Sequence, residues 1–232
     1  MGLCDRVSPP ASGNPTRHAT LATPRAAAAP VASVASVANY HPVHLQKANT
    51  MSHLIAAIDP SIRATGVINP QGEASVHTST KHQDQDASPR LRIERYDNLA
   101  ADVVEAVEPA TLVAIERYAY NAKGSSAYDL AEFGGILRKR LIFRGIQFVE
   151  VPPQAIKTYA TGKGNASKTD VLLAAVRRLN YDGNSEDEAD ALWLWHLTQA
   201  AVRDPDLNHL GLPATHTRAI EPITQLINQA TT

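Results

Sequence analysis

The sequence contains a single cysteine, Cys4, which excludes an intrachain disulfide framework and any zinc site built on several cysteines. It also lacks an uninterrupted apolar run of about 18 residues, the length that a membrane-spanning helix needs, so no membrane partner is predicted. The 232 residues, 44% of them hydrophobic, are enough for one ordinary core with some chain left over. One domain with terminal additions is therefore the expected organisation.

Residues 1–50 have a different composition from the rest of the chain. They are rich in Ala, Pro, Ser, Thr and Val, contain one acid, Asp5, and show no sustained periodicity. Such a segment buries too little apolar surface to offset its ordering entropy, so we predict a disordered N-terminal extension. Its acid-poor composition also suits a transit peptide. Because Met51 directly precedes the first predicted strand, the simpler hypothesis is that translation begins there. We expect a cytoplasmic protein of bacterial or phage type, with organelle import left open.

From Met51 onward the sequence has regular secondary-structure signals. Three short β-rich runs are followed by a helix, a strand, a helix, a strand and two helices. Three antiparallel strands followed by alternating strands and helices predict an α/β fold with a mixed sheet flanked by helices. We assign residues 51–203 to this domain and residues 204–232 to a C-terminal tail that is at most weakly helical near 220–228. The predicted elements cover residues 54–58, 65–69, 74–78, 89–108, 111–115, 130–144, 146–151, 169–179 and 185–202.

Four acids stand at special places in this pattern. Asp59 and Glu116 each follow a predicted strand, and in open α/β sheets ligands gather at the carboxyl ends of strands. Asp187 and Asp190 are three residues apart at a predicted helix start, hence on one face near the positive end of the helix dipole. Each acid alone is more simply explained as a turn or capping residue, as Glu188 is in a capping box with Ser185. The joint pattern of the four favours a metal site, because crowded carboxylates repel one another unless a cation lies between them.

The predicted ligands also indicate which metal and which chemistry to expect. Carboxylates on a sheet edge, without His or Cys at zinc spacing, favour Mg²⁺, with Mn²⁺ as the alternative. Two such ions bound together can align a water for attack on phosphorus and stabilise the leaving oxygen. The sequence therefore predicts a two-metal site for phosphodiester hydrolysis.

The positive charge is concentrated just before the acidic helix start. Between Arg138 and Arg178 there are nine basic residues and two acids, although the net charge of the chain is −1. This segment suits a nucleic-acid backbone, and Lys163 and Lys168, on a predicted Gly/Asn/Ser loop, are best placed to contact phosphates. The alternative is that these residues lie on solvated helix faces.

Four stretches of the sequence resemble, in order and spacing, the motifs of the RuvC-type Holliday junction resolvases, members of the ribonuclease-H-like superfamily. The resemblance covers residues 54–196 and implies a ribonuclease-H-like mixed five-stranded sheet flanked by helices. It departs from the family at Ser61, where the family usually has glycine. The stretches are "IAAIDPSIRATGVI", "LVAIERYAYNAKGSSAYDLAEFGGIL", "VEVPPQAIKTYATGKGNASKTDVLLAAV" and "EDEADALWLW".

The resemblance also implies roles for individual residues. It identifies Asp59, Glu116, Asp187 and Asp190 with the four catalytic, metal-binding carboxylates of the family. It implies a homodimer, because a four-way junction has near-twofold symmetry that a C2 dimer can match. Trp193 and Trp195 are interpreted as packing residues. The candidate DNA-binding residues are Lys157 and Lys168, which match basic positions of the family, with Lys163, Arg138, Arg140, Tyr118 and Tyr120.

The predicted function is thus a Mg²⁺-dependent endonuclease that nicks Holliday junctions or related branched DNA. One alternative keeps the fold and changes the substrate to RNA or an RNA/DNA hybrid. The other is a non-catalytic DNA-binding module in which the acids only cap secondary structure.

Overall fold

The structure, a computed structural model, describes residues 53–79, 88–118, 125–203 and 210–231. The predicted disordered extension and Tyr120 lie outside these ranges. The strands are β1 (Ile55–Asp59), β2 (Thr65–Ile68), β3 (Ala74–His77), β4 (Leu112–Glu116) and β5 (Gln147–Val151). The helices are α1 (Pro89–Val107), α2 (Ser125–Phe143), α3 (Pro153–Thr161), α4 (Lys168–Leu179), α5 (Glu186–Arg203), α6 (Ala214–Thr217) and α7 (Ile220–Ala230).

The five strands form one mixed sheet in the order β3-β2-β1-β4-β5. The first three strands pair antiparallel, while β1 and β4, and β4 and β5, pair parallel. β1 lies at the centre and is buried along its whole length, as its continuous apolar sequence requires. The predicted ribonuclease-H-like sheet is therefore confirmed in strand number and in its mixture of directions.

Helices cover both faces of the sheet, because successive strand residues point to opposite sides. Ile58 of β1 packs with α1 and α2, where Tyr96 and Phe133 meet edge to face at 6.2 Å. Ala57, its neighbour in sequence, belongs to the opposite layer, which contains α3, α4, α5 and α7. Two bidentate ion pairs, Arg92 with Glu132 and Arg140 with Asp97, join α1 to α2.

Helix α5 is the central helix of the second layer. Trp193 is fully buried and its indole nitrogen donates to the carbonyl of Val171 at 3.2 Å. Trp195 donates to the carbonyl of Ile55 at 2.8 Å and so ties α5 to β1. The interpretation of both tryptophans as packing residues is confirmed.

Helix α3 was not predicted, because the predicted strand 146–151 ends at Pro152-Pro153 and no element was assigned between it and residue 169. Pro153 is the first residue of α3, where its missing N–H costs no helical hydrogen bond. Gly162 ends the helix with φ of 80°, a left-handed conformation that glycine adopts without strain. Lys157 therefore lies on a helix, and Lys168 lies at the start of α4 rather than on a flexible loop.

The segment assigned to a C-terminal tail contains α6 and α7, and both pack on the domain. Ile220, Ile223 and Ile227 recur at helical spacing and are buried against the core layer that contains α5. The hydroxyl of Thr224 donates to the carbonyl of Ala201 at 3.0 Å. The helix is thus longer and better packed than the weak one expected near 220–228. None of the helices in the described ranges is long and apolar enough to cross a membrane.

Candidate active site

Two of the predicted acids meet at one edge of the sheet because their strands are parallel neighbours. Ile58 of β1 pairs with Ile115 of β4, so the next residues, Asp59 and Glu116, lie side by side. On its other side Asp59 pairs with Gly66 of β2. The backbone of the central strands therefore holds both carboxylates in place.

The start of α5 brings the third acid to this edge. Ser185 accepts the amide of Glu188 at 3.2 Å, which is half of the predicted capping box. The other half is replaced, since the amide of Ser185 donates to the hydroxyl of Tyr181, and that hydroxyl donates to Glu188 at 2.5 Å. The helix start is thereby fixed, and one turn into the helix Asp190 points toward the sheet edge.

The structure brings three of the four predicted carboxylates together. Asp59, Glu116 and Asp190 each offer an oxygen, and these oxygens lie within 4.8 Å of one another. Asp59 is 8% exposed and Asp190 is 7% exposed. Asp187 is not part of this group, although it lies close by. Three largely buried acids with converging oxygens are difficult to explain as caps or turn residues.

Burial and mutual repulsion change the titration of all three acids in the same direction. Burial, together with the charges of Glu116 and Asp190, raises the pKa of Asp59 well above its usual value. Burial and the charge of Asp190 raise the pKa of Glu116 to about 7. The pKa of Asp190 is also raised, chiefly by burial. The cluster is therefore short of positive charge.

Lys168 partly supplies that charge. Its ammonium nitrogen lies 3.1 Å from Asp187 Oδ1 and 3.5 Å from Asp190 Oδ2. Burial alone would lower the pKa of Lys168, but the hydrogen bond to Asp187 and the charges of Asp59 and Asp190 outweigh burial and raise it. Asp187 thus forms an ion pair with Lys168 and does not belong to the group of converging carboxylates.

Asp59, Glu116 and Asp190 line a cleft of about 240 Å³ that is large enough for a phosphate group and bound ions. Lys157 and Lys168 both border it, and the charge of Lys157 acts on Glu116 and Asp190. The oxygen ligands, their convergence and their raised pKa values all fit a hard divalent cation. The residues lining the cleft are Asp59, Pro60, Glu116, Arg117, Tyr118, Leu130, Pro153, Ile156, Lys157, Lys168 and Asp190.

Tyr118 and Arg138, two of the candidate DNA-binding residues, contact each other beside this cleft. Arg138 donates to the hydroxyl of Tyr118, lies over its ring at 4.7 Å and also pairs with Glu150. Gly134 makes room for the tyrosine, because a Cβ there would meet its ring. Arg138 therefore orients Tyr118, and its own charge is engaged by Glu150.

The remaining candidates are distributed over the surface. Arg140 is held by Asp97 of α1 and is not among the residues that line the cleft. Lys163 lies in a second concavity of about 270 Å³ between the end of α3 and α4, together with Arg177 and Arg178. Tyr120 lies outside the described residues. The basic segment thus forms separate groups rather than one continuous surface.

Gly66 contributes to the site and was not predicted. A Cβ on Gly66 would lie 2.8 Å from the carbonyl carbon of Asp187, so only glycine lets the start of α5 approach β2 this closely. A lone glycine inside a predicted strand is a known signal of such an approach. Arg117, which follows Glu116 and lines the cleft, was also missed.

Ser61 explains how the turn after Asp59 forms without the usual glycine of the family. Its hydroxyl accepts the amides of Arg63 and Ala64, and its carbonyl accepts the hydroxyl of Thr65 at 2.5 Å. Among the described residues other than glycine, Asn180 alone has a positive φ. The turn therefore does not require the conformational freedom of glycine at this position.

A mixed five-stranded sheet with a carboxylate cluster where β1 and β4 end defines an α/β protein with a candidate acidic metal-binding site. The family model described as crossover junction endodeoxyribonuclease RuvC matches residues 55–195. The chain therefore belongs to the RuvC family of crossover junction endodeoxyribonucleases.

The chain is also similar to individual proteins of this family. The RuvC of Synechococcus sp. strain CC9311 is 33% identical over 103 residues, which are 43% of this chain and 64% of the relative. The RuvC of Synechococcus sp. strain WH7803 is 31% identical over 145 residues, 60% of this chain and 92% of the relative. The chain thus spans just under two thirds of the first relative and nearly all of the second. The match to a structure of Thermus thermophilus RuvC covers 61% of this chain and 90% of the Thermus chain, with 22% identity and a TM-score of 0.47.

Proposed function

We propose that this chain is a metal-dependent endonuclease that nicks four-way DNA junctions or closely related branched DNA. The observation that carries the proposal is the convergence of Asp59, Glu116 and Asp190 at one sheet edge, in a chain that belongs to the RuvC family. The alternative of a non-catalytic module is disfavoured, because these acids are held together at an energetic cost that capping alone does not require.

The acids have distinct tasks in this proposal. Asp59, Glu116 and Asp190 hold the cation, Mg²⁺ or Mn²⁺, and Asp187 contributes a further ligand once it leaves Lys168. When bound, a pair of such ions activates water and stabilises the leaving oxygen of a phosphodiester. The burial of the cluster among β1, β4 and α5 keeps the carboxylates fixed, so little reorganisation is needed during the reaction.

Cations on α3, on α4 and between these helices support binding of the DNA backbone. Lys157 and Lys168 border the acidic cleft, where a phosphate must approach the carboxylates. Lys163 and Arg177 border the second concavity, which α3 and α4 also form. We assign the cleft to the phosphate that is cleaved and the second concavity to neighbouring phosphates of the same DNA arm.

A homodimer is part of the proposal. On α2 the side chains of Tyr128, Ile142 and Phe143 are 78%, 65% and 76% exposed, an apolar face that a second copy can cover. A C2 dimer would present two acidic clefts to a junction of matching symmetry. It would therefore nick both strands at symmetric positions. By analogy with the bacterial relatives we also assign the protein to the cytoplasm.

A panel of labelled substrates with and without Mg²⁺ tests the function. Four-way junction, linear duplex, flap and RNA/DNA hybrid are incubated with the protein, and products are resolved at nucleotide level. We expect symmetric nicks in the junction, dependent on Mg²⁺, and little cleavage of the other substrates. Preferential cleavage of the hybrid would instead assign the chain to nucleases that act on RNA.

Two substitutions connect the activity to the site. Asp59→Asn and Asp190→Asn should each lower the cleavage rate by at least about 100-fold, while junction binding measured by gel shift persists. Glu186→Gln, which changes an exposed acid at the same helix start, is the matched control and should leave cleavage unchanged. Undiminished cleavage in both asparagine variants would rule out this site.

A further inference from the structure

Lys168 occupies a position in the acidic cleft that a simple phosphate-binding lysine would not need. Its ammonium contacts Asp187 at 3.1 Å and Asp190 at 3.5 Å, two acids that the proposed function assigns to metal binding. The third and fourth acids, Asp59 and Glu116, are close enough for its charge to act on them. Lys168 thus acts on all four carboxylates, whereas the charge of Lys157 acts on Glu116 and Asp190.

Asp187 differs from the other three acids in its partner. The oxygens of Asp59, Glu116 and Asp190 converge, whereas Asp187 lies outside that group and binds Lys168. Asp187 is also the more accessible of the two acids that contact Lys168, since its side chain is 29% exposed against 9% for Asp190. A metal ion bound by Asp187 would therefore compete with Lys168 for this carboxylate.

The backbone of Lys168 is held at a helix start, whereas its side chain is half exposed. Lys168 is the first residue of α4, directly after Ser167, which forms a reciprocal capping box with Asp170 at 3.1 Å in both directions. The side chain is 49% exposed and has a flexible four-carbon stem. Displacement of the charge from the acids therefore requires rotation of the stem and no movement of the α4 backbone.

We propose that Lys168 is the internal counter-ion of the metal-free site and is displaced from Asp187 when a divalent cation binds. The lysine neutralises part of the carboxylate cluster before metal loading and competes with the metal for Asp187. Once displaced, the ammonium remains in the cleft, where a phosphate can take the place of Asp187 as its partner. Metal loading thereby makes Lys168 available to DNA. This inference rests on the proposed metal-dependent function.

Metal titration of the protein without DNA tests the proposal separately from cleavage. Binding of Mn²⁺ is measured by electron paramagnetic resonance for the wild type, Lys168→Met and Lys163→Met. An adjacent opposite charge favours the ionised form of a carboxyl group by about 10- to 1,000-fold. The lower end applies to Lys168, because its side chain is half exposed. Since Lys168 competes with the metal for the same carboxylates, we expect Lys168→Met to bind Mn²⁺ about tenfold more tightly than the wild type. Lys163→Met removes a lysine that borders the other concavity, so its Mn²⁺ affinity should equal that of the wild type.

The outcomes separate the two claims. Equal or weaker Mn²⁺ binding by Lys168→Met, with normal binding by the wild type, would overturn the role of Lys168 and leave the proposed function intact. If the wild type binds no Mn²⁺ at all, the proposed function fails and the inference fails with it.

A measurement on the unaltered side chain covers the case in which Lys168→Met does not fold without metal. The protein is labelled with ¹³C at the lysine ε-carbon, and the Lys168 resonance is assigned by its absence from the spectrum of Lys168→Arg. Addition of Mg²⁺ should move the Lys168 resonance and leave that of Lys163 in place. An unmoved Lys168 resonance at saturating Mg²⁺ would contradict displacement.

Discussion

Glu116 shows how a single partly buried acid opposes stability at a candidate metal site. Its pKa is raised from the usual 4.5 to about 7 by burial and by Asp190. Between these two values the folded chain binds a proton that the unfolded chain does not. The stabilisation from that proton is present below pH 4.5 and is lost as the pH rises through 7. In the metal-free protein the ionised cluster is therefore a source of instability at neutral pH.

Glu116→Gln should stabilise the metal-free protein, and the gain should depend on pH. In excess EDTA at pH 8 we expect an increase of up to about 3 kcal/mol in the free energy of unfolding, because the pKa of Glu116 is raised from 4.5 to about 7 and each tenfold change in an ionisation constant corresponds to roughly 1.4 kcal/mol. Urea denaturation at pH 5 should show a much smaller difference, because the wild-type carboxyl is then largely protonated. Glu105→Gln, on the exposed side of α1, should change little at either pH.

Added Mg²⁺ should reverse the order of stabilities, because only a state that binds the ion gains from it. The wild type should gain stability as Mg²⁺ is raised at pH 8, and Glu116→Gln should gain less. A pH-independent effect of Glu116→Gln would mean that this carboxyl is not perturbed by the cluster.

The acids at the strand ends could be predicted from the sequence because strand order and parallel pairing suffice to bring them together. Asp59 and Glu116 each close an apolar run, and their convergence needs no detail of side-chain conformation. The pairing of Asp187 with Lys168 could not be predicted, since it depends on side-chain rotation across two helix starts. Arg138 and Arg140 were likewise selected by charge alone, which carries no information on the acids that hold them.

Proline explains most of the difference between the predicted and observed helices. Pro153 and Pro222 both lie in the first turn of a helix, a position at which proline is tolerated. Pro153 was interpreted as part of a strand end, so α3 was missed, and residues 204–232 were interpreted as a tail, so α7 was underestimated. The strands and the helices α1, α4 and α5 had clear apolar spacing and were predicted to within a few residues.

The contact between β2 and α5 leads to a prediction for Gly66. Gly66→Ala places a methyl group against the backbone of Asp187. The contact is too short to be accommodated by a side-chain rotation, so the start of α5 must move away from β2. Asp190 would then move out of register with Asp59 and Glu116. We expect metal affinity measured by Mn²⁺ titration to fall at least about tenfold, with a loss of stability of about 1–3 kcal/mol.

Gly135→Ala is the matched control for Gly66→Ala. Gly135 lies inside α2, and nothing lies within 4 Å of the position that its Cβ would occupy. The change should therefore be neutral or stabilising by up to about 1 kcal/mol, because alanine favours helices more than glycine does. Unchanged Mn²⁺ binding by Gly66→Ala would show that the close approach of α5 is not required for the site.

The C-terminal helices bear on where the folded domain ends. Residues 204–232 were predicted to be a tail, yet α7 packs on α5 and β5, and α6 packs on α3. Helices α5 and α3 carry Asp190 and Lys157, so the terminal helices support the elements that form the acidic cleft. His216 strengthens this contact, since its buried ring is 2.9 Å from the carbonyl of Tyr159 near the end of α3. We therefore propose that the nuclease domain extends through α7.

Ile223→Ala distinguishes an integral helix from an appended one. Ile223 is fully buried between α7 and the core, so its truncation leaves a cavity and should cost about 2–4 kcal/mol. If α7 belongs to the domain, calorimetry should show a single transition, displaced to lower temperature, because the loss is felt by the whole cooperative unit. Gln225→Ala, on the exposed side of the same helix, should leave the transition near its wild-type temperature. An unchanged main transition for Ile223→Ala, with only local loss of helix, would restore the interpretation of this segment as a tail. A helix that unfolds separately contributes nothing to the stability of the sheet.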